Sequence, residues 1–199
     1  MPIFIGHMKG YNGHMTALSL VAKEVGVNER TLRRAVNEGA LRATRPSPRK
    51  LELPFAEERY VRGHWPLIAK LREVLRTEHN ARFAMLFGSA ARGDDTEHSD
   101  IDVIVDLRDS DFSREIDLAL KLEDVVGRSV DVVDLKDAEN DPTFLAMALE
   151  DARVLVDRDG VWARLRRRES ALRRRGQKID EERKRHAFAQ ADRFLARHR

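Results

Sequence analysis

The stretch of residues 86–106, LFGSAARGDDTEHSDIDVIVD, constrains the fold more than any other part of the chain. It places a Gly-Ser turn at Gly88 and Ser89, then small and polar residues, and then two aspartates separated by one apolar residue at the start of a β-branched run. Alternate residues of a strand point to the same face, so the carboxylates of Asp100 and Asp102 are predicted to lie side by side. Two like charges held that close repel each other unless a cation lies between them.

Strands and helices alternate on both sides of this stretch. ARFAMLF precedes it as a buried strand, and the helix SREIDLALKLEDVVG, the strand RSVDVVDL, the helix DPTFLAMALED and the strand ARVLVD follow it. Asp141 is the predicted N-cap of the second of these helices, with Pro142 in its first turn. This alternation predicts an α/β-type domain within an α+β chain.

The paired carboxylates and the turn suit chemistry on a nucleoside triphosphate. Asp100 and Asp102 can share Mg²⁺, which relieves their repulsion and neutralises phosphate oxygens. Backbone N–H groups after Gly88, together with the Ser89 hydroxyl, can hold the terminal phosphates. A third carboxylate would complete a two-metal site. Asp131 and Asp134 both qualify, but their odd separation puts them on opposite faces of a regular strand, and strand parity alone leaves the choice open.

The motif resembles that of the minimal nucleotidyltransferases of the DNA polymerase β superfamily. Gly-Ser is followed by ten residues and then Asp-x-Asp, with Ala-Arg-Gly directly after the serine. The third carboxylate of that family lies in a Val-Asp context on a later strand, which SVDVV matches at Asp131. The resemblance covers roughly residues 81–157 and implies a mixed sheet. It also implies catalytic, metal-binding roles for Asp100, Asp102 and Asp131 with two Mg²⁺ ions, and nucleotide binding at Gly88, Ser89 and Arg92, where Arg92 is expected to brace the loop.

The N-terminal part has the pattern of a different module. LSLVAKEVG predicts a helix that stops at Gly26, Asn28 is the predicted N-cap of a second helix, and Gly39 ends that helix. LRATR and RKLEL flank a PSP turn and predict a β-hairpin. The region from Thr16 to Arg62 resembles the winged helix-turn-helix of MerR and excisionase-type DNA-binding modules. The resemblance implies that the second helix and the wing contact duplex DNA through Arg30, Arg33, Arg34, Arg42, Arg45, Arg49 and Lys50.

The segment after Val161 is strongly basic. Leu165, Leu172 and Ile179 recur at heptad spacing, but the companion positions are charged, which disfavours a strong coiled coil. The pattern predicts a helical tail whose thin apolar edge docks on the body or on a partner protein. Its basic residues could instead contact RNA; they are Arg164, Arg166, Arg167, Arg168, Arg173, Arg174, Arg175, Lys178, Arg183, Lys184 and Arg185.

Composition sets the remaining limits. The 199 residues carry 37 Lys and Arg against 34 Asp and Glu, so the distribution of charge matters more than the net value of +3. Cysteine is absent, which excludes disulfides and Cys-based zinc sites, and we expect a cytoplasmic protein. The predicted division is a leader over 1–15, the winged helix over 16–62, a linker helix over 63–80, the nucleotidyltransferase domain over 81–157 and the tail over 158–199.

The family resemblance implies Mg²⁺-dependent transfer of a nucleoside monophosphate, with AMP from ATP as the first expectation among the possible NTPs. The acceptor is a hydroxyl that the sequence leaves open. An antitoxin that modifies its partner toxin and binds its own operator fits the fused DNA-binding module. The alternatives are a toxin or tRNA-modifying enzyme that grips RNA through the tail, and a transcriptional regulator that only senses nucleotide. Drug modification is disfavoured because the tail does not resemble the helical bundle of those relatives.

Overall fold

The computed structural model describes residues 15–109 and 111–197, without the side chains of residues 187 and 189–197. The predicted leader therefore lies outside the described residues, apart from Met15. The elements are β1 (Met15–Ala17), α1 (Leu18–Glu24), α2 (Glu29–Glu38), β2 (Thr44–Ser47), β3 (Lys50–Pro54), α3 (Phe55–Thr77), β4 (Ala81–Phe87), α4 (Gly88–Arg92), β5 (Ile101–Leu107), α5 (Phe112–Val126), β6 (Val130–Asp134), α6 (Leu135–Asn140), α7 (Pro142–Asp151), β7 (Arg153–Asp157) and α8 (Val161–Arg197).

The first helices end and begin where the sequence predicts. Gly26 has φ +71° in the turn after α1, the Asn28 side chain accepts a hydrogen bond from the N–H of Arg30 at 2.8 Å, and Gly39 ends α2 with φ +86°. β2 and β3 form the predicted antiparallel hairpin. The three-residue strand β1 was not predicted, because it is too short to show alternation. It pairs with β3 to give the sheet order β1-β3-β2.

The helix predicted over 63–80 is part of a longer one. α3 begins at Phe55 and runs for 23 residues, so it crosses the predicted boundary at Arg62. Pro66 lies inside α3 but on its exposed side, where the missing N–H donor leaves no buried gap in the core. The apolar side of this helix faces inward, since Ile68, Leu71 and Leu75 are fully buried.

The second sheet is mixed, as predicted, with the order β6-β5-β4-β7. β4 pairs antiparallel with β5 and β7, whereas β5 and β6 are parallel. Alternate residues of β4 serve two hydrophobic clusters. Ala84 and Leu86 belong to the cluster shared with the N-terminal helices, α3 and α5, and Phe83 and Met85 belong to the cluster shared with α6, α7 and α8.

Two findings revise the interpretation of the C-terminal half. The short helix α6 was not predicted, and it follows directly from β6 because the side chain of Asp134 caps it.

The apolar edge of the tail packs against the protein itself. Leu165 is 2% and Leu172 6% exposed, and both pack in the cluster with α7. At these two residues the edge therefore docks on the body, which is one of the two alternatives that the sequence left open. No helix among the described residues is long and apolar enough to cross a membrane.

Candidate active site

The turn after β4 brings Gly88 against the first carboxylate of β5. Phe87 is the register partner of Asp102, so the chain leaves β4 directly beside that residue. Gly88 has φ +71°, and a Cβ built there would overlap Oδ2 of Asp102. Only glycine combines this backbone conformation with so close an approach to the carboxylate.

The parallel pairing of β5 and β6 selects the third carboxylate. Asp102 is the register partner of Asp131, so the two side chains share one face of the sheet. Asp134 is buried and accepts a hydrogen bond from the N–H of Lys136 at 2.7 Å as the N-cap of α6. The structure therefore brings Asp131 to the site and gives Asp134 a local capping role.

Asp100 lies just before β5 rather than within it, and it is close enough for its charge to act on Asp102, as the charge of Asp131 does. Burial raises the pKa of Asp102, and the charges of Asp131 and Asp100 raise it further, against an opposing effect of Arg92. Among the described residues, no three His, Cys, Asp or Glu side chains lie in an arrangement that could hold a metal ion as it stands. The surplus negative charge around Asp102 and the oxygen-only donor set nevertheless suit hard divalent cations such as Mg²⁺.

Arg92 braces the segment that follows the turn. Its Nε donates to Asp94 at 3.1 Å, and its Nη1 donates to Asp151 at the end of α7 at 3.3 Å. The sequence analysis expects Arg92 to brace the loop, and its role in nucleotide binding stays a prediction. Its charge also acts on Asp102, as described above.

Comparison with known proteins relates this geometry to a family. The family model of the polymerase beta nucleotidyltransferases matches residues 69–160. A protein of Methanocaldococcus jannaschii with the provisional name protein adenylyltransferase MJ1379 is 34% identical over 93 residues, which cover 45% of this chain and 91% of the relative. The chain belongs to the polymerase beta nucleotidyltransferase family. It is a nucleotidyltransferase enzyme, as the sequence predicted.

Further relatives agree with this assignment. A second protein of that archaeon, provisionally named protein adenylyltransferase MJ0128, is 30% identical over 91 residues and matches 45% of this chain and 91% of its own length. A solved toxin–antitoxin structure with AMP-PNP has a TM-score of 0.50 at 23% identity, covering 61% of this chain and 96% of that chain. A mutant of the toxin–antitoxin MntA-HpeT also has a TM-score of 0.50, at 22% identity and with the same coverage. At these identities the two structures show a shared fold.

A buried ion pair contacts α4, the short helix that begins at the Gly88 turn. Arg153 of β7 and Glu57 of α3 are 3% and 5% exposed at their side chains and lie 2.6 Å apart. The Nε of Arg153 donates to the carbonyl of Ala91 in α4 at 2.6 Å, and its guanidinium lies over the ring of Tyr60 at 3.3 Å. The hydroxyl of Tyr60 in turn donates to the carbonyl of Ala90 at 3.0 Å. α4 is thus attached to α3 and β7 by two side chains that the sequence analysis did not single out.

The loop between α4 and β5 is attached through Asp95. One carboxylate oxygen lies 2.7 Å from Nε2 of His64, and the other accepts from Arg128 at 2.7 Å. Arg128 also donates through Nε to the carbonyl of Ser99 at 2.9 Å, next to Asp100. Burial raises the pKa of Asp95, but the hydrogen bonds from Arg128 and His64 outweigh it, so the net shift is downward. No short-range pattern in the sequence signals this network, because its members are about 30 residues apart.

The residues predicted to bind DNA lie on α2 and on the adjoining hairpin. Arg33 donates to the carbonyl of Arg49 at 3.4 Å, and Arg45 donates to Asn37 of α2 at 3.1 Å, so the helix and the hairpin tip are in contact. Three of these cations form ion pairs with neighbouring glutamates: Arg33 with Glu29, Arg34 with Glu38, and Lys50 with Glu52. Arg30 and Arg49 form no ion pair within the described residues. Arg42, which was assigned to the wing, precedes the hairpin and reaches the carbonyl of Glu150 at 3.5 Å.

Replacing Gly88 by alanine should lower nucleotidyl transfer about a hundredfold, because the new methyl group displaces the Asp102 carboxylate by a fraction of an ångström or more. Gly127→Ala is the matched control. Gly127 also has positive φ, at +75°, but a Cβ there meets nothing within 4 Å. The control should lose about 1 kcal/mol of stability and keep its rate per folded molecule. Equal rates for the two variants would contradict the predicted overlap.

Replacing each of the two aspartates of β6 should have a different effect, on activity for Asp131 and on stability for Asp134. We expect Asp131→Ala to lower transfer at least about a hundredfold, since it removes a carboxylate from the site. Asp134→Ala should keep most activity but lose about 1 kcal/mol in the free energy of unfolding, since it removes a helix cap. Transfer assays and denaturant titrations of both variants test this. Loss of activity in the folded Asp134 variant alone would reverse the assignment.

Proposed function

We propose that this nucleotidyltransferase transfers AMP from ATP to a hydroxyl of a partner protein, as the antitoxin of a toxin–antitoxin pair, in the cytoplasm. The observation that carries the proposal is the convergence of Asp100, Asp102 and Asp131 beside the Gly88 turn. The choice of AMP and of a protein acceptor draws on the names of the relatives, which are protein adenylyltransferases. The toxin–antitoxin setting draws on the solved structures that share the fold.

The proposed mechanism assigns each side chain a task. Asp100, Asp102 and Asp131 would hold Mg²⁺, which when bound neutralises the phosphate charge and favours ionisation of the acceptor hydroxyl. Gly88 and Ser89 hold the β- and γ-phosphates and so orient the α-phosphorus, while Arg92 keeps the turn in place. Asp131, exposed at the open side of the sheet, orients the acceptor hydroxyl and accepts its proton. The acceptor oxygen then bonds to the α-phosphorus, and the bond to the bridging oxygen breaks with release of pyrophosphate.

Labelled ATP tests the acceptor class directly. The purified chain is incubated with Mg²⁺ and ATP labelled at the α-phosphate, together with an extract of cells that express its genomic neighbours, and protein and RNA are then separated. We expect the label in one protein band, with label lost in the Asp102→Asn variant. Label in RNA instead would establish the RNA-modifying alternative. A label that is transferred from the γ-phosphate and not from the α-phosphate, and that is lost in the Asp102→Asn variant, would show phosphoryl transfer instead of AMP transfer.

We also propose that residues 16–62 form a winged helix-turn-helix that binds duplex DNA. α1 and α2 around a glycine turn, followed by the β2–β3 hairpin, have the order that such a module requires. Its cations lie together on α2 and the hairpin tip, where they could follow one phosphate backbone. An antitoxin that binds its own operator would thereby control its own synthesis.

Replacing Arg30, Arg33 and Arg34 together by alanine should weaken binding to the protein's own promoter. The slope of log affinity against log salt should fall by about 2 to 3, since each lost phosphate contact removes about 0.9. AMP transfer should survive, because these residues lie on α2 and not on the turn or the strands that carry the carboxylates. Filter binding over a salt series measures the slope. An unchanged slope would show that α2 does not face the DNA.

A specific observation keeps the RNA-modifying alternative open. The apolar edge of α8 is already buried against α7, so the surface that α8 leaves exposed is predominantly basic. A protein partner would have to bind that basic surface or another part of the chain. The acceptor experiment above decides between the two functions.

A further inference from the structure

A cleft of about 320 Å³ lies at the end of the second sheet opposite the active site. Its polar lining is mainly cationic and comes from four elements or their ends: Arg82, Arg108, Lys136, Arg164 and Arg168. Asp106, also in the lining, is four residues beyond Asp102 on β5, which places the cleft about 13 Å from the carboxylate site. A ligand in the cleft is therefore separate from a triphosphate bound at the Gly88 turn.

The carboxylates around the cleft do not balance its cations. Asp106 pairs with Arg82 at 2.8 Å, Glu139 pairs with Arg168 at 2.6 Å, and Asp159 lies 3.4 Å from Arg82 and 3.8 Å from Arg108.

Two of the five cations have no carboxylate partner in the described part of the chain. Lys136 forms no ion pair there, and the only hydrogen bond recorded from the Arg164 side chain goes to the backbone carbonyl of Asp159, at 2.7 Å. The Nε of Arg82 makes no hydrogen bond within the described residues and has only the ion pair with Asp159 at 3.4 Å. Lys136 and Arg164 thus give the cleft donors without a carboxylate partner and a positive charge, which suits an anion with several acceptor oxygens.

The basic lining continues along one face of α8. Arg164, Arg168, Arg175 and Lys178 follow at intervals of four, seven and three residues, which keeps them on one side of a helix. All four are exposed, while Leu165 and Leu172 face the body. At 1.5 Å per residue this row is about 21 Å long. A single phosphate would occupy only the cleft. A chain of phosphates is needed to contact both the cleft and the row of cations on α8.

We propose that the cleft and this face of α8 bind the phosphodiester backbone of a polynucleotide strand. The site is distinct from the active site and from the cations of α2 and the hairpin. It goes beyond the proposed function, since a bound strand could be a regulator or a scaffold even when the acceptor is a protein. Guanidinium and ammonium groups at this spacing position a backbone without reading its bases.

The test uses the full chain with Arg30, Arg33, Arg34, Arg45, Arg49 and Lys50 replaced by alanine, so that the cations proposed to bind DNA in the N-terminal module are removed. Fluorescein-labelled single-stranded RNA and DNA of mixed sequence are titrated by anisotropy over a salt series. The test variant adds Lys136→Glu and Arg164→Glu, which break no ion pair. The matched control adds Lys23→Glu and Arg59→Glu, two exposed cations outside the cleft that also lack ion pairs in the described region. Circular dichroism checks that all variants are folded.

We expect the test variant to bind about tenfold more weakly at low salt and to lose about 1.4 from the salt slope, whereas the control is unchanged. A preference for RNA or for DNA would identify the natural strand, and either supports the proposal. Equal losses in test and control variants would overturn it, because they would reflect net charge alone. Displacement by inorganic phosphate at matched phosphate concentration would also overturn it, in favour of a single-phosphate site. Absence of binding by the parent protein at low salt would leave an acidic protein as the occupant and refute the proposal.

Discussion

Asp102→Asn should abolish nucleotidyl transfer, lowering the rate by about a thousandfold or more, or about 4 kcal/mol of transition-state stabilisation. Asp102 is the carboxylate that lies next to both of the others: Asp131 is its register partner, and Asp100 is two residues away along the chain. Asparagine keeps the shape of the side chain but loses the charge that a divalent cation requires. A quench-flow or gel assay with labelled ATP measures the loss.

The variant should remain folded, because Asp102 is only partly buried and its burial raises the pKa of the carboxyl rather than stabilising the ion. Asp117→Asn on the exposed side of α5 is the control, and it should retain the wild-type rate. Undiminished transfer by Asp102→Asn, or wild-type transfer in excess EDTA, would show that the carboxylates do not act through a metal.

The parts of the fold that sequence predicts best are those decided within a few residues. Asn28, Asp111 and Asp141 accept hydrogen bonds as helix caps, and Gly39 and Gly127 take the left-handed conformation that ends a helix. The caps at Asn28 and Asp141 and the stop at Gly39 were predicted from residue type alone. Local side-chain chemistry fixes them, so no tertiary information was needed.

The predicted and observed elements differ where the local sequence signal was short or where tertiary packing overrode it. α6 has six residues and starts on the strand residue Asp134, so its capping side chain was interpreted only as a possible ligand. α3 passes through Pro66 and a predicted boundary because its buried stripe is continuous on the other side.

The candidate site shows the same division. The Gly-Ser turn and the Asp-x-Asp pair could be recognised in one stretch, but the choice between Asp131 and Asp134 depends on how β6 pairs with β5. That pairing joins strands that are separated by α5, so strand parity could not supply it. The catalytic roles of these residues remain predictions.

Loss of the Arg153 side chain should have the largest effect on stability. In Arg153→Met, the buried Glu57 loses the partner that binds it through two nitrogens, at 2.6 and 3.0 Å, and keeps only the N–H of Arg42 at 3.0 Å. An uncompensated carboxylate in such a site costs about 3 to 5 kcal/mol. Urea denaturation of the full chain measures this as a lower midpoint with an unchanged slope.

The double variant Glu57→Gln, Arg153→Met distinguishes a buried charge from lost packing. Removing both charges takes away the desolvation penalty, so the double variant should be more stable than Arg153→Met alone. Both variants lose the hydrogen bond to the carbonyl of Ala91, and both should therefore bind ATP more weakly through a less ordered α4. If Arg153→Met lay within about 1 kcal/mol of the wild type, Glu57 would be hydrated in solution. The N-terminal helices and the nucleotidyltransferase sheet would then be joined by apolar contacts, and the ion pair would contribute little.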